Sequence, residues 1–197
     1  MKTRIVCAAI LACRCLLEAG TVREHPSPGT SLVRFEQLDS GVYKGSKPTI
    51  EADFEFLQSK HVKTILNLKF LPFLDGAEKR RARVHGITYL AGIINASTFQ
   101  PSEKNVDGIL KILHDPCNQP IYVHCAIGRD RTSLISALYL LYFKGLPPVE
   151  GWPKMKEFGF KDSWTLMGLK HYLMKHETVA ASFTTTPHAC GPLRSEH

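Results

Sequence analysis

The chain has 197 residues, of which 44% are hydrophobic and 22% charged, and this composition is typical of one globular domain with a buried core. The net charge of +7 favours anionic partners such as phosphates, nucleic acid or acidic lipid heads, although a solvated basic surface explains it equally well. The six cysteines do not suggest a disulfide scaffold, because Cys117 and Cys125 would lie at opposite ends of one strand. We therefore expect Cys125 to carry a free thiol.

The N-terminus has the order of a secretory leader. A basic "MKTR" precedes the short apolar "IVCAAILA", and Cys13 follows as in a bacterial lipoprotein cleavage site. Residues 1–20 are therefore predicted to direct export to a bacterial periplasm, with membrane attachment through a lipidated Cys13. The alternative is an unstructured extension of a cytoplasmic protein. The apolar run is short and Arg14 interrupts it, which excludes a membrane-spanning helix here.

The rest of the chain divides into three predicted parts. Residues 21–31 are rich in Pro, Ser, Gly and Thr and predict a linker, residues 32–178 form the folded domain, and residues 179–197 form a flexible tail. Inside the domain, strand and helix patterns alternate. This alternation predicts an α/β fold, in which helices flank a central, mostly parallel sheet.

The predicted elements follow one another in a regular order. The predicted strands are "GVYKG", "VKTILNL", "ITYLAGI" and "PIYVH". The predicted helices are "TIEADFEFLQSK", "GAEKRRARVHG", "PSEKNVDGILKILHD", the apolar residues 132–144, and two further segments broken near Pro147, Pro148 and Pro153. The almost continuous apolar run of "PIYVH" favours the centre of the sheet, and the apolar helix after it favours the core.

The stretch "HCAIGRDRT", residues 124–132, lies between that central strand and that buried helix. Ligands of open α/β sheets bind beyond the carboxyl ends of the strands, and a helix N-terminus offers unpaired N–H groups that suit a phosphate. Gly128 permits a tight turn that points several amides inward, and Arg131 can grip two phosphate oxygens at once. The same positive field favours the thiolate form of Cys125. The stretch therefore predicts a phosphate-binding loop with a thiolate nucleophile.

His124 and Cys125, followed after five residues by Arg131 and Thr132, resemble the signature of the cysteine-dependent protein tyrosine and dual-specificity phosphatases. "GVYKGSKPT", "VKTILNLK" and "EFGFKDSWTLMGLKHYL" are similar to the small bacterial and fungal members, so the resemblance covers residues 33–176. It implies a three-layer phosphatase-like sandwich that hydrolyses phosphate monoesters without a metal or another cofactor.

The resemblance also implies a role for each residue of the signature. Cys125 would attack phosphorus and form a phosphocysteine, and the Arg131 side chain would stabilise the transition state. Thr132 would donate a hydrogen bond to the sulfur, and His124 would help to position the loop and keep the thiol acidic. The equatorial oxygens would be held by the backbone amides of Ala126, Ile127, Gly128, Arg129, Asp130 and Arg131.

The sequence departs from the resemblance in its general acid. The superfamily usually supplies an Asp from a loop after an earlier strand, but "AGIINASTFQPSEK" contains no Asp, and Glu103 is its only acid. Asp130 directly precedes Arg131, as in myotubularin-type lipid phosphatases, and could protonate the leaving oxygen. Alternatively, Asp130 forms a salt bridge that fixes the loop. Glu103 could be the acid, but it is expected in the first turn of a helix, where a negative charge is favoured in any case. We expect Asp130 to be the acid.

The substrate is left open between two classes. The signature favours a phosphorylated protein, whereas the basic charge and the Asp-Arg pair favour an inositol phosphate or a phosphoinositide. Lys47 or Lys69 could bind a second phosphate, although a surface position is the default for a lysine. A catalytically dead phosphate-binding module is the rival from another class. The "KRRARVH" run is expected to be a solvated helix face, so no nucleic acid is expected as a partner.

Overall fold

The computed structural model describes residues 22–23, 26, 28–69 and 75–177. Its strands are β1 (Val22–Arg23), β2 (Glu36–Asp39), β3 (Val42–Gly45), β4 (Thr64–Asn67), β5 (Thr88–Ala91) and β6 (Ile121–His124). Its α-helices are α1 (Glu51–Ser59), α2 (Gly76–Val84), α3 (Glu103–His114), α4 (Asp130–Phe143), α5 (Gly151–Glu157) and α6 (Met167–Glu177).

The strands form one sheet in the order β1-β2-β3-β6-β4-β5. β6 lies between β3 and β4 and pairs parallel to both, and β4 pairs parallel to β5. β1, β2 and β3 pair antiparallel. The predicted α/β fold with a mostly parallel central sheet is therefore confirmed, and the strand "PIYVH" is central as predicted. β2 was not predicted, because "EQLD" alternates only weakly between apolar and polar residues.

Two cores enclose the sheet, because successive strand residues point to opposite faces. On β6, Ile121 and Val123 belong to the core formed with α3, α4, α5 and α6, whereas Tyr122 belongs to the smaller core formed with α1 and α2. α4 is buried over most of its length, and it contacts α3, α5 and α6. These layers give the predicted three-layer sandwich and place the end of β6 deep inside it.

Some expectations need correction. Val22 and Arg23, inside the predicted linker, pair with β2. Pro153 does not break a helix but lies in the first turn of α5, where the missing amide proton is not needed. Cys125 is a free thiol as predicted, whereas Cys117 is disulfide-bonded, which the sequence did not predict.

The predicted leader with Cys13 and the predicted tail from residue 179 lie outside the described residues. Within the described ranges, no helix has the length and apolar content required to cross a bilayer.

Candidate active site

The phosphate loop, residues 125–131, connects the carboxyl end of β6 to the N-terminus of α4. β6 ends at His124 and α4 begins at Asp130, two residues earlier than predicted, so the last two residues of the loop form the first turn of the helix. Cys125 is buried with 3% of its surface exposed. The nucleophile predicted from the sequence therefore lies at the base of a loop that leads into a helix N-terminus, where an anion is favoured.

The loop presses closely on the end of β3. Gly128 has a φ of +66°, and a Cβ added there would lie 2.6 Å from the Ser46 nitrogen and would overlap the Gly45 carbonyl. Only glycine combines a left-handed conformation with so close an approach. The predicted role of Gly128 as the turn residue is thus explained by two separate constraints.

Two hydrogen bonds anchor carbonyl groups of the loop from outside. The Lys47 amide donates to the Ala126 carbonyl at 3.2 Å. The Arg34 guanidinium donates to the Ile127 carbonyl at 3.1 Å. These two hydrogen bonds hold the loop in place. Their donors, Arg34 and Lys47, precede and follow β3 in the sequence.

Of the signature side chains Arg131 and Thr132, the first makes a hydrogen bond to a neighbouring loop and the second makes none among the described residues. The Arg131 Nε donates to the Ile94 carbonyl at 2.8 Å, so the loop after β5 fixes the guanidinium. Thr132 is fully buried, and its hydroxyl makes no hydrogen bond in the described part of the chain. The hydrogen bond that the resemblance implies between Thr132 and the Cys125 sulfur is not formed in this structure.

His124 lies directly under the loop in a buried polar cluster that sequence reasoning missed. Its Nδ1 lies 3.0 Å from the Cys125 carbonyl oxygen, and its Nε2 lies 2.7 Å from Oε1 of Glu78 on α2. Both side chains are almost completely buried. The only sequence signal was a glutamate in the first turn of a basic helix, where the helix dipole already explains a negative charge.

Two lysines meet a second buried carboxylate beside this cluster. Lys47 and Lys69 both form ion pairs with Asp75, and Lys69 does so at 3.0 Å. Burial raises the pKa of Asp75, but the hydrogen bonds from Lys47 and Lys69 outweigh it and hold that pKa below its usual value. Burial lowers the pKa of Lys47, but Asp75 and Glu78 outweigh it and raise that pKa. Lys47 therefore stays charged near the carboxyl end of β3.

The Asp130 carboxylate accepts hydrogen bonds from Arg129 and from the segment after α5. The Arg129 side chain donates to its carboxylate at 3.1 to 3.3 Å, and the Lys161 amide donates to Oδ1 at 3.2 Å. These contacts are those of the salt-bridge alternative, in which Asp130 fixes the loop to the segment after α5. They do not direct a proton toward the phosphate site.

Glu103 is turned away from the site as the first residue of α3. It accepts hydrogen bonds from the Tyr172 hydroxyl at 2.6 Å and Lys175 at 2.7 Å, and it lies 3.0 Å from His176, all on α6. Burial raises the pKa of Glu103, but the α6 partners outweigh it and lower that pKa to about 2. A carboxyl group with so low a pKa is ionised at neutral pH and cannot donate a proton.

A family model described as "Polymorphic toxin system, DSP-PTPase phosphatase" matches residues 39–145, more than half of the chain. The chain belongs to this phosphatase family. The matched range runs from the end of β2 past the end of α4, so it contains the whole phosphate loop. The resemblance to the cysteine-dependent phosphatases is thereby confirmed.

Among curated proteins, the phosphatase is similar to inositol diphosphatase DSP1 of Oryza sativa subsp. japonica. The two are 29% identical over 106 residues, which are 52% of this chain and 47% of the rice protein. The chain thus spans about half the length of the curated relatives it matches.

Solved structures share the fold of the phosphatase. P. aeruginosa TpbA has a TM-score of 0.64 at 18% identity, covering 85% of this chain and 99% of that one. The core catalytic domain of the PP-IP phosphatase SIW14 from S. cerevisiae has a TM-score of 0.60 at 20% identity, covering 76% and 91%. These likenesses confirm the predicted phosphatase-like sandwich.

Proposed function

We propose that the protein is a cysteine-dependent phosphatase that cleaves a phosphoanhydride bond of an inositol diphosphate. Cys125 attacks the terminal phosphorus and forms a phosphocysteine, and water then releases phosphate. The amides of residues 126–131 hold the equatorial oxygens, and Arg131 balances their charge in the transition state. The family supports the phosphatase chemistry, and the name of the rice relative supports the substrate class.

The observation that carries this choice of substrate is that three carboxylates, two near the site and one turned away from it, are held by cations. Asp130 is bound by Arg129, Asp75 by two lysines, and Glu103 by residues of α6. The loop after β5, residues 92–102, contains neither Asp nor Glu. A site built this way is best suited to a leaving group that departs without receiving a proton.

The leaving groups of the candidate substrates differ widely in basicity. An alcohol released from phosphoserine or from an inositol monoester is about as basic as hydroxide, since the pKa of water is about 16. The phenol of tyrosine has a pKa of about 10. A phosphate monoester, which leaves when a diphosphate is cleaved, has a second pKa of about 6. It is therefore the one leaving group that is stable as an anion at neutral pH.

Phosphotyrosine is the second candidate substrate. TpbA, which shares the fold of this chain, has been solved in complex with pTyr. The phenolate is a better leaving group than an alkoxide, so tyrosine phosphate would be hydrolysed more slowly than a diphosphate but faster than phosphoserine. This order keeps the predicted protein phosphatase activity as a secondary one.

A substrate panel tests the proposal. We expect kcat/KM to fall in the order diphosphoinositol phosphate, phosphotyrosine peptide, then phosphoserine peptide and inositol hexakisphosphate. Cys125→Ser, measured in parallel on every substrate, controls for contaminating hydrolases. Turnover of the two alkyl monoesters at the rate of the diphosphate would contradict the proposal.

We also propose that the protein is exported and lipidated at Cys13. The leader order of residues 1–20 supports this, as does the disulfide at Cys117, because disulfides persist in oxidising compartments. Intact-mass analysis of the protein from its native cells should show a lipidated Cys13 as the first residue. An unprocessed Met1 terminus would contradict export by this route.

A further inference from the structure

Arg34 has a strained backbone beside the phosphate loop. It is exposed, and its φ of +55° lies in the left-handed region that residues other than glycine seldom adopt. Such a conformation costs free energy and persists only where the surrounding structure fixes it. A glycine would adopt the same conformation without this cost, so the contribution of the arginine lies in its side chain.

The backbone of Arg34 is held by contacts on both of its sides. The preceding residue, Val33, accepts a hydrogen bond from the Ser46 amide at 3.0 Å and donates one to the Ser46 hydroxyl at 2.9 Å. Lys44, which is fully buried, donates a hydrogen bond to the Arg34 carbonyl at 3.4 Å. Because Ser46 also lies against Gly128 of the phosphate loop, the segment that carries Arg34 is fixed relative to that loop.

The side chain of Arg34 passes Gly159 on its way to the loop. A Cβ added at Gly159, which has a φ of +98°, would lie 3.2 Å from Arg34 Nε and 3.6 Å from Cγ of Arg129. Beyond this point, Nη1 of Arg34 donates a hydrogen bond to the Ile127 carbonyl at 3.1 Å. The missing side chain at Gly159 thus leaves the space through which Arg34 reaches the loop.

The hydrogen bond to Ile127 determines the direction of the next amide in the loop. The peptide bond between Ile127 and Gly128 is trans, so its C=O and its N–H point in opposite directions within one plane. The C=O points to Arg34, which lies outside the loop. The Gly128 N–H therefore points away from Arg34, toward the interior of the loop.

We propose that Arg34 is a positioning residue that keeps the Gly128 amide directed at the equatorial oxygens of the transferred phosphoryl group. Without this hydrogen bond the peptide is free to rotate, and the site loses one of the donors that stabilise the transition state. A misdirected amide weakens binding of the transition state more than binding of a ground-state phosphate, because the donors are arranged for the transition state. This inference rests on the proposed role of the phosphate loop but not on the identity of the substrate.

Arg34→Gly separates the side chain from the backbone, because glycine keeps the left-handed conformation and removes the donor. Isothermal titration calorimetry measures binding of two anions: orthovanadate, which imitates the transition state, and inorganic phosphate, which imitates the ground state. We expect the variant to bind orthovanadate about tenfold or more weakly, and phosphate at most about threefold more weakly. Equal weakening of both anions would mean that Arg34 acts through its charge alone. That result, or unchanged binding of orthovanadate, overturns the proposal.

His61→Gly is the matched control. Among the described residues other than glycine, only His61 shares the left-handed conformation of Arg34, with a φ of +57°, and it is also exposed. It lies between α1 and β4, at the edge of the sheet opposite the phosphate loop, because β4 runs parallel to β6. Both substitutions relieve the same strain, so neither should lower the midpoint of urea unfolding. A loss of orthovanadate affinity as large in His61→Gly as in Arg34→Gly would overturn the proposal.

Arg34→Lys is a second variant, which keeps a charged donor for the Ile127 carbonyl. We expect its ratio of orthovanadate affinity to phosphate affinity to lie within about threefold of the parent's. A ratio reduced about tenfold would overturn the proposal, because the donor and the charge are both retained. Neither anion depends on the inositol diphosphate assignment, so a wrong substrate would leave every expected result unchanged. A parent protein that binds neither anion would contradict the proposed function as well as this inference.

Discussion

The phosphate loop and the loop after β5, residues 92–102, both face the phosphate site, but they are built differently. The phosphate loop is pressed against Gly45 through Gly128, and its carbonyls are bonded to Lys47 and Arg34. The second loop accepts a hydrogen bond from Arg131 through the backbone carbonyl of Ile94. Its Phe99 side chain is 77% exposed.

This difference separates binding from proton transfer. The groups proposed to hold a phosphate and attack it are fixed by contacts with neighbouring segments, whereas the loop from which the superfamily usually supplies an acid contains no acidic residue here. We infer that the site depends on its electrostatic preorganisation. Under the proposed function, the intrinsic stability of the leaving group replaces a proton donor.

The largest effects should come from the side chains that act on phosphorus. Cys125→Ser should lower kcat by about 10⁴-fold or more while phosphate binding and folding are kept, because a hydroxyl is a poor nucleophile at its free pKa. Arg131→Lys should also be severely impaired, because the planar fork is lost. Steady-state kinetics with circular dichroism as a folding control checks both, and near-normal turnover in either variant would refute its assigned role.

Gly128→Ala tests how tightly the phosphate loop is held. The added methyl group meets the Gly45 carbonyl and the left-handed conformation is strained, so we expect a loss of stability of about 1–3 kcal/mol. We also expect kcat/KM to fall about 100-fold, because misplaced amides cannot stabilise the transition state. Gly108→Ala is the control, since a Cβ there meets nothing within 4 Å. Equal behaviour of the two variants would show that the close packing at Gly128 does not matter.

Asp130→Asn distinguishes a proton donor from a structural residue. Its contacts with Arg129 and Lys161 lead us to expect a loss in kcat of about tenfold or less, of equal size for alkyl and aryl phosphates. If Asp130 were the acid, as the sequence predicts, Asp130→Asn would instead lower kcat on the order of 10²-fold or more for the alkyl phosphate and much less for the aryl phosphate. Parallel kinetics on the two substrates decides between these outcomes.

The smallest effect should come from the second loop's boundary at Glu103. Its pKa is lowered to about 2 in the folded protein, so its contribution to stability is present above the unfolded value near 4.3 and is lost as pH falls toward 2. Because 48% of this side chain is exposed, Glu103→Gln should cost only about 0.5–1 kcal/mol at pH 7. Urea unfolding should show a difference in stability between the parent and Glu103→Gln at pH 7 that disappears at pH 2. The kcat of the variant at pH 7 should lie within about twofold of the parent's. A large loss of kcat would restore Glu103 as the acid.

The sequence predicted the features that depend on local pattern. The apolar run of β6 and the apolar helix after it predicted that Cys125 follows a central strand and that Arg131 lies at the start of a buried helix. The sequence could not place Glu78 or Asp75, because a buried charge is balanced by partners distant in the chain, here His124, Lys47 and Lys69.

The central claim is that the leaving group departs without protonation. The most direct test is the dependence of kcat/KM on leaving-group basicity across a series of aryl phosphates, because kcat/KM reports the steps up to leaving-group departure. The account predicts a steep decline in kcat/KM as the pKa of the phenol rises. A flat dependence would contradict it, because a flat dependence requires a residue that donates a proton in the transition state.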